Sequence, residues 1–145
     1  MTLSLRRLTP AVSVAPQIDP ADLPALAAAG FVAVVNNRPD GEEPGQPSGD
    51  AVRAAASAVG VGYAEVPVTR GFSYSQIDAM AAVLAGADGP VLAYCRSGTR
   101  SCHLWALAAA RAGGDPEALV ATAANAGYGL RGLLPLLETL RAGKG

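Results

Sequence analysis

A mainly parallel α/β sheet flanked by helices is the fold class that this sequence predicts. Three observations carry the prediction. Short, almost wholly apolar runs recur along the chain, as expected of strands buried on both faces. Between them lie stretches with helix-start and helix-stop residues. The two kinds of segment alternate, which is the signature of a parallel sheet with helices on its faces.

Taken in order, Ala11 to Ala15 reads as a short edge strand. Asp19 followed by Pro20 reads as an N-cap and a first helical position. That helix carries Leu23 and Leu26 and stops at Gly30, a residue suited to a left-handed C-cap. Phe31 to Asn36 is a nearly continuous apolar strand. Arg38 to Gly49 is dense in proline and glycine and reads as a long loop. A helix is expected over Asp50 to Val59, ending at Gly60, and then a strand over Tyr63 to Val68. Ser73 with Gln76 three residues on forms a capping box for a helix to about Ala85. Val91 to Tyr94 is a short apolar strand, and a helix should follow from about Arg100 to Ala112. Asp115-Pro116 opens another helix to near Gly127. Leu130 to Arg141 is the last, with Leu133, Leu134, Leu136 and Leu137 expected in the core.

With 145 residues, the chain has the size of one domain, and 1–145 is read as a single catalytic unit. Half the residues are hydrophobic, 16% are charged and the net charge is −1. No basic surplus points to nucleic acid, and no run of like charge points to a membrane surface. No stretch approaches the ~20 apolar residues of a membrane span. Arg6 and Arg7 are not followed by the long apolar run of a signal peptide. The expected location is therefore the cytoplasm. Two cysteines and one histidine are too few for a structural zinc site, and no metal or cofactor is called for. The sequence specifies no oligomeric state.

The chemistry concentrates in Cys95-Arg96-Ser97-Gly98-Thr99-Arg100-Ser101. A buried strand delivers Cys95 to the carboxyl edge of the sheet, where ligands of such folds bind. The backbone N–H groups between strand and helix have no regular partner and can curl into a nest for an anion. The helix dipole adds positive potential there, and Gly98 permits a backbone that a side chain would forbid. Arg100 adds a planar, permanently charged donor fork. Cysteines in such fields ionise at roughly pH 3.5–7.5, and the thiolate is the nucleophile. Cys95 and Arg100 are thus the candidate catalytic pair. Arg96, Ser97, Gly98, Thr99 and Ser101 are the candidate anion-binding loop.

The loop resembles two families. Tyrosine and dual-specificity phosphatases carry Cys-x5-Arg, whereas rhodanese sulfurtransferases carry a loop one residue shorter that often begins Cys-Arg-x-Gly. Four residues separate Cys95 from Arg100, the rhodanese length. The remainder is narrower. Gln17, Gly30-Phe31, Asn37 to Glu43, Pro67-Val68, Gly89 to Tyr94 and Cys95 to Ser101 occur in that order. From about Leu8 to about Leu140 the chain resembles the bacterial beta-lactamase-hydrolase-like family, in its phosphatase-like domain. That resemblance implies a dual-specificity/tyrosine-phosphatase-like fold. It implies a cysteine enzyme, and the family is described both as phosphatase and as sulfur transferase. In some chains of the family the domain is fused to a metallo-beta-lactamase-type domain of the persulfide dioxygenase kind.

Between those reactions the residues favour sulfur transfer through a Cys95 persulfide, from a sulfane-sulfur donor to a thiol acceptor. A phosphatase of this type needs an acid to protonate its leaving group. In the dual-specificity group that acid is an Asp some thirty residues before the Cys. Tyr63 to Phe72 contains no Asp, Glu65 falls inside an expected strand and Asp78 inside an expected helix. Tyr94 also stands where the phosphatases commonly have His. The alternative is hydrolysis of phosphate monoesters through a phosphocysteine, with Asp40, Glu42 or Glu43 as acid. A second alternative is a non-catalytic anion-binding or redox-sensing module. The strand before Arg38 should neighbour that of Cys95, so Arg38, Asp40 and Glu42 border the expected pocket. Arg70, with Phe72, follows another strand and lines the same pocket. Cys102 is read as a small core residue or as a resolving thiol, and His103 as a partly buried structural residue or a modulator of Cys95.

Overall fold

The computed structural model describes residues 3–143. Five strands form one sheet: β1 (Arg6–Thr9), β2 (Val12–Ala15), β3 (Ala33–Asn36), β4 (Gly62–Glu65) and β5 (Val91–Tyr94). Their spatial order is β1-β2-β5-β3-β4. All pairings are parallel except that of β1 with β2. Six α-helices connect and flank them: α1 (Leu23–Ala28), α2 (Gly49–Ala58), α3 (Tyr74–Gly86), α4 (Thr99–Arg111), α5 (Pro116–Asn125) and α6 (Leu134–Ala142). The mainly parallel α/β architecture is as predicted. None of these helices is long and apolar enough to cross a membrane.

Two strands differ from expectation. β2 is not an edge, because β1 pairs along its outer side. β1 leaves little trace in the sequence because two of its four residues are exposed arginines and only Leu8 is buried. Thr9 closes the hairpin, its Oγ1 accepting from the N–H groups of Ala11 and Val12, each at 3.1 Å. β4 stops at Glu65 rather than running to Val68. Pro67 has no N–H to give a ladder. The chain still follows its neighbour, since the Val66 and Val68 N–H groups donate to the Asn36 and Asn37 carbonyls.

The helix ends obey local chemistry. Asp19 caps as expected, in a capping box with Asp22, and a short 3-10 turn (Pro20–Asp22) precedes α1. Gly30 ends that unit at φ +100°. α2 starts a residue before Asp50, with Ser48 as its cap. Ser73 and Gln76 form the predicted capping box of α3.

Alternation along β5 divides the core. Leu92 and Tyr94 pack on one face with Leu23, Leu26 and Val52 of α1 and α2. Val91 and Ala93 pack on the other with Met80, Leu104, Leu107, Leu137 and Leu140 of α3, α4 and α6. α4 lies between α3 and α6 and buries most of its length. The expectation for the last helix needs correction. Leu137 is fully buried, Leu133 and Leu134 are half-buried, and Leu136 is 39% exposed. Four leucines within five residues exceed what one helical stripe can turn inward.

Leu104 is fully buried at the centre of the α4 packing. Leu104→Ala should destabilise the protein by about 2–5 kcal/mol through lost burial and the cavity left behind. Urea denaturation with an unchanged m-value would show this as a lowered midpoint.

Candidate active site

β5 lies at the centre of the sheet, flanked by β2 and β3, and ends at Tyr94. Cys95 follows at the carboxyl edge, fully buried, its N–H donating to the Ala15 carbonyl at 3.3 Å. The chain then turns tightly, and α4 begins at Thr99. The Gly98 N–H donates to Cys95 Sγ at 3.1 Å. No acceptor among the described residues takes the N–H groups of Arg96, Ser97, Arg100 or Ser101. These donors lie on the turn between Cys95 and the start of a thirteen-residue helix. Backbone N–H groups left without acceptors between strand and helix are what an anion nest requires.

Gly98 is required twice over. Its φ is +90°, a left-handed conformation that side chains disfavour. A Cβ there would lie 2.4 Å from Tyr128 Oη. Sequence reasoning does not single out Tyr128. It sits between Gly127 and Gly129 after α5, and its hydroxyl donates to the Ser97 carbonyl at 3.5 Å. Arg6 holds it there, with the guanidinium over the ring and Nη1 bonded to the Ala126 carbonyl. An aromatic between two glycines is the one signal the sequence offers for it.

The long loop supplies the charge network. Arg38 is buried at 3% exposure and every guanidinium nitrogen is used. Nε donates to Glu42 Oε1 (2.9 Å), Nη1 to Gln17 Oε1 (3.0 Å) and Nη2 to Glu43 Oε1 (2.5 Å). Glu42 also grips Arg100 bidentately, at 2.7 and 2.8 Å, and Arg100 Nη1 bonds the Val68 carbonyl at 2.7 Å. Glu43 reaches Arg96 with its second oxygen at 3.2 Å. Arg100 holds Glu42 well below the ordinary carboxylate value, at about 2, with Arg38 reinforcing it. In return Glu42, and then Cys95, raise the Arg100 pKa.

The other predicted residues divide. Glu42 and Arg38 do join the cysteine loop, Arg38 by way of carboxylates. Asp40 does not: its Oδ1 accepts from the Gly49 N–H at 2.8 Å and so caps α2. Arg70 lies exposed on the segment after Val68, with no bonded partner among the described residues. Ser97 and Thr99 are exposed, their hydroxyls bonded to each other at 3.0 Å. Ser101 is fully buried in the first turn of α4, its Oγ without a partner among the described residues. Cys102 is fully buried, and burial pushes its thiol up to about 12, which suits a core residue and not a resolving thiol. His103 is half-buried against Phe72, ring centroids 5.9 Å apart, and burial lowers its pKa.

The depressed Glu42 value has a consequence for stability. In the unfolded chain the carboxyl regains its ordinary value of 4.5 and takes up a proton first as the pH falls. The contribution of Glu42 is therefore complete above pH 4.5 and lost progressively toward pH 2. Denaturation midpoints measured across that window should fall for the wild type and fall less for Glu42→Gln.

Proteins of known structure and sequence bear on this arrangement. A putative phosphatase from Neisseria meningitidis (nma1982) superposes with a TM-score of 0.79 at 31% identity, covering 93% of this chain and 96% of that one. A variant of P. aeruginosa TpbA in complex with pTyr superposes with a TM-score of 0.66 at 17% identity, over 97% of this chain and 89% of its own. The fold is that of the tyrosine and dual-specificity phosphatases. A beta-lactamase hydrolase-like protein of Agrobacterium fabrum is 41% identical over 102 residues, 70% of this chain. The chain spans only 24% of that relative's length. The likeness to the Neisseria meningitidis protein supports phosphatase-like chemistry, and none of these comparisons supports the sulfur transfer that the residues alone favour. Residues 4–112 match the description "Beta-lactamase hydrolase-like protein, phosphatase-like domain", and with three-quarters of its length in that match the chain belongs to this family.

Proposed function

We propose that the chain is a cysteine-dependent phosphatase that acts on phosphate monoesters through a phosphocysteine at Cys95. The observation that carries the reading is the nest itself. Cys95 Sγ sits among backbone N–H groups that have no other acceptor, beside a guanidinium fixed on two sides. A phosphate dianion satisfies those donors, and Arg100 offers it a charge-assisted fork. Glu42 and the Val68 carbonyl hold Arg100 in place, so its orientation is set before substrate arrives.

The thiolate attacks phosphorus, the S–P bond forms and the bond to the leaving oxygen breaks. Water then attacks the phosphocysteine, the S–P bond breaks, and the thiolate is restored with release of inorganic phosphate. The N–H nest and Arg100 stabilise the negative charge spread over the equatorial oxygens in both steps. Ser101 is suited to donate to the sulfur, since its hydroxyl is buried in the same helix turn without another partner. Arg96, Ser97, Thr99 and Arg70 are exposed and meet whatever the phosphate is attached to.

Hydrolysis of 4-nitrophenyl phosphate should fall at least about 10³-fold in Cys95→Ser, and about 10²-fold in Arg100→Lys, which keeps the charge but loses the fork. Intact mass after rapid quenching should show phosphate on wild-type Cys95. Turnover indifferent to Cys95→Ser would exclude the mechanism. A sulfur gained from a persulfide donor, with no phosphate release from any ester, would restore sulfur transfer.

A further inference from the structure

The carboxylates around Cys95 are all engaged elsewhere. A phosphatase ordinarily lends its leaving group a proton, and a poised acid contributes roughly 10²–10⁴-fold. Val66 to Phe72, which approaches Arg100 through the Val68 carbonyl, contains no acidic side chain. On the carboxyl edge of the sheet, Asp19 and Asp22 accept from backbone N–H groups at the start of their own helix. Asp40 caps α2. Glu65 accepts from Tyr63 Oη at 2.7 Å, and it aligns through Asn36 with Tyr94, which points into the core with α1 and α2. Two carboxylates touch side chains of the cysteine loop. Glu42 is held ionised near pKa 2 between Arg100 and Arg38. Both oxygens of Glu43 already accept from Arg38 and Arg96. His103 has its pKa lowered by burial, and burial raises that of Tyr128. His103 packs against Phe72, and the Tyr128 hydroxyl already donates to the Ser97 carbonyl.

We infer that the leaving group departs from this site without a proton from the chain, so that the substrates are phosphates of acidic leaving groups that are stable as anions near neutral pH. The shared chemistry is that of acyl phosphates and of phosphate esters of acidic phenols. Esters of alcohols, and phosphotyrosine with its leaving-group pKa of about 10, are poor substrates by the same reasoning. The inference rests on the phosphocysteine reading and deepens it. In the first step the thiolate and the dianionic ester give an S-phosphocysteine dianion and a free oxyanion, with the electron pair of the broken P–O bond leaving on oxygen. In the second, water adds to phosphorus, the pair of the S–P bond returns to sulfur, and the products are the thiolate and dihydrogen phosphate. No oxidant or further reactant is needed.

The test is a leaving-group series on the intact protein: acetyl phosphate, 4-nitrophenyl phosphate, phenyl phosphate, phosphotyrosine and glycerol phosphate, with Cys95→Ser as control. The expected result is kcat/KM roughly 10²-fold or more lower for phenyl than for 4-nitrophenyl phosphate, and no turnover of glycerol phosphate. The pH profile should rise and stay level, without the alkaline fall that a required acid imposes. Cys95-dependent turnover that varies only a few-fold across the series, or a bell-shaped profile, overturns this inference and leaves the phosphatase reading standing. Failure to hydrolyse even acetyl and 4-nitrophenyl phosphate overturns both. Glu43→Gln supplies a second check. It should change all substrates by a common factor, whereas a loss confined to the poor leaving groups would identify Glu43 as an acid and refute the proposal.

Discussion

Arg38 is the constraint around which the edge of the sheet is organised. A guanidinium cannot lose its charge, and burying it unpaired costs several kcal/mol. At 3% exposure it must therefore find an acceptor for each nitrogen. It finds them on the loop after β2, through Gln17, and on its own loop, through Glu42 and Glu43. Those carboxylates each have a second oxygen or lone pair free, and these reach Arg96 and Arg100 across the pocket. One buried charge thus ties three segments together and sets the direction in which the cysteine loop presents its arginines. The pairs are partly exposed, so their worth lies more in orientation than in bulk stability.

A second constraint acts on the backbone. A nest of N–H groups works only if the peptide planes between strand and helix turn inward. Gly98 makes the turn possible at φ +90°, and Tyr128 presses on the place where a side chain would stand. The Tyr128 hydroxyl accompanies this by bonding the Ser97 carbonyl on the outer side. β1 takes part as well, because Arg6 steadies the tyrosine. A strand that looks like an antiparallel addition to the sheet thereby supports the loop from a distance.

These features are legible in the sequence to very different degrees. Val91 to Tyr94 and the heptapeptide after it stand out, because core packing alone never calls for a cluster of donors, hydroxyls and glycine behind a wholly apolar strand. Helix ends are legible where one side chain does the capping, at Asp19, Ser73 and Asp115. β1 is not, since a strand with one buried residue in four leaves no periodic trace. The network is half legible. Arg38 and Glu42 stand in a loop that has to border the pocket, but Asp40, two residues away, serves α2 instead. Nothing in the order of letters separates a carboxylate that faces an arginine from one that faces a backbone N–H. Tyr128 is marked only by its two flanking glycines, and nothing in the sequence ties it to the glycine it touches about thirty residues away.

The missing acid is one of the sequence arguments for sulfur transfer, beside loop length and Tyr94, and on the phosphatase reading it takes another meaning. The fold is that of phosphatases and the family's domain is described as phosphatase-like, yet the carboxylates nearest the cysteine loop are the ones that hold Arg38, Arg96 and Arg100. A carboxylate pinned near pKa 2 orients a guanidinium well and protonates a leaving group badly. The two tasks make opposite demands on one side chain, since the first requires a stable charge and the second a labile proton. This site has committed Glu42 to the first. On the phosphocysteine reading proposed above, catalytic power comes from the nucleophile and from charge stabilisation at phosphorus, and the difficulty of departure falls on the substrate. Selectivity of that kind needs no pocket shaped to a particular group, because the acidity of the leaving oxygen does the discriminating.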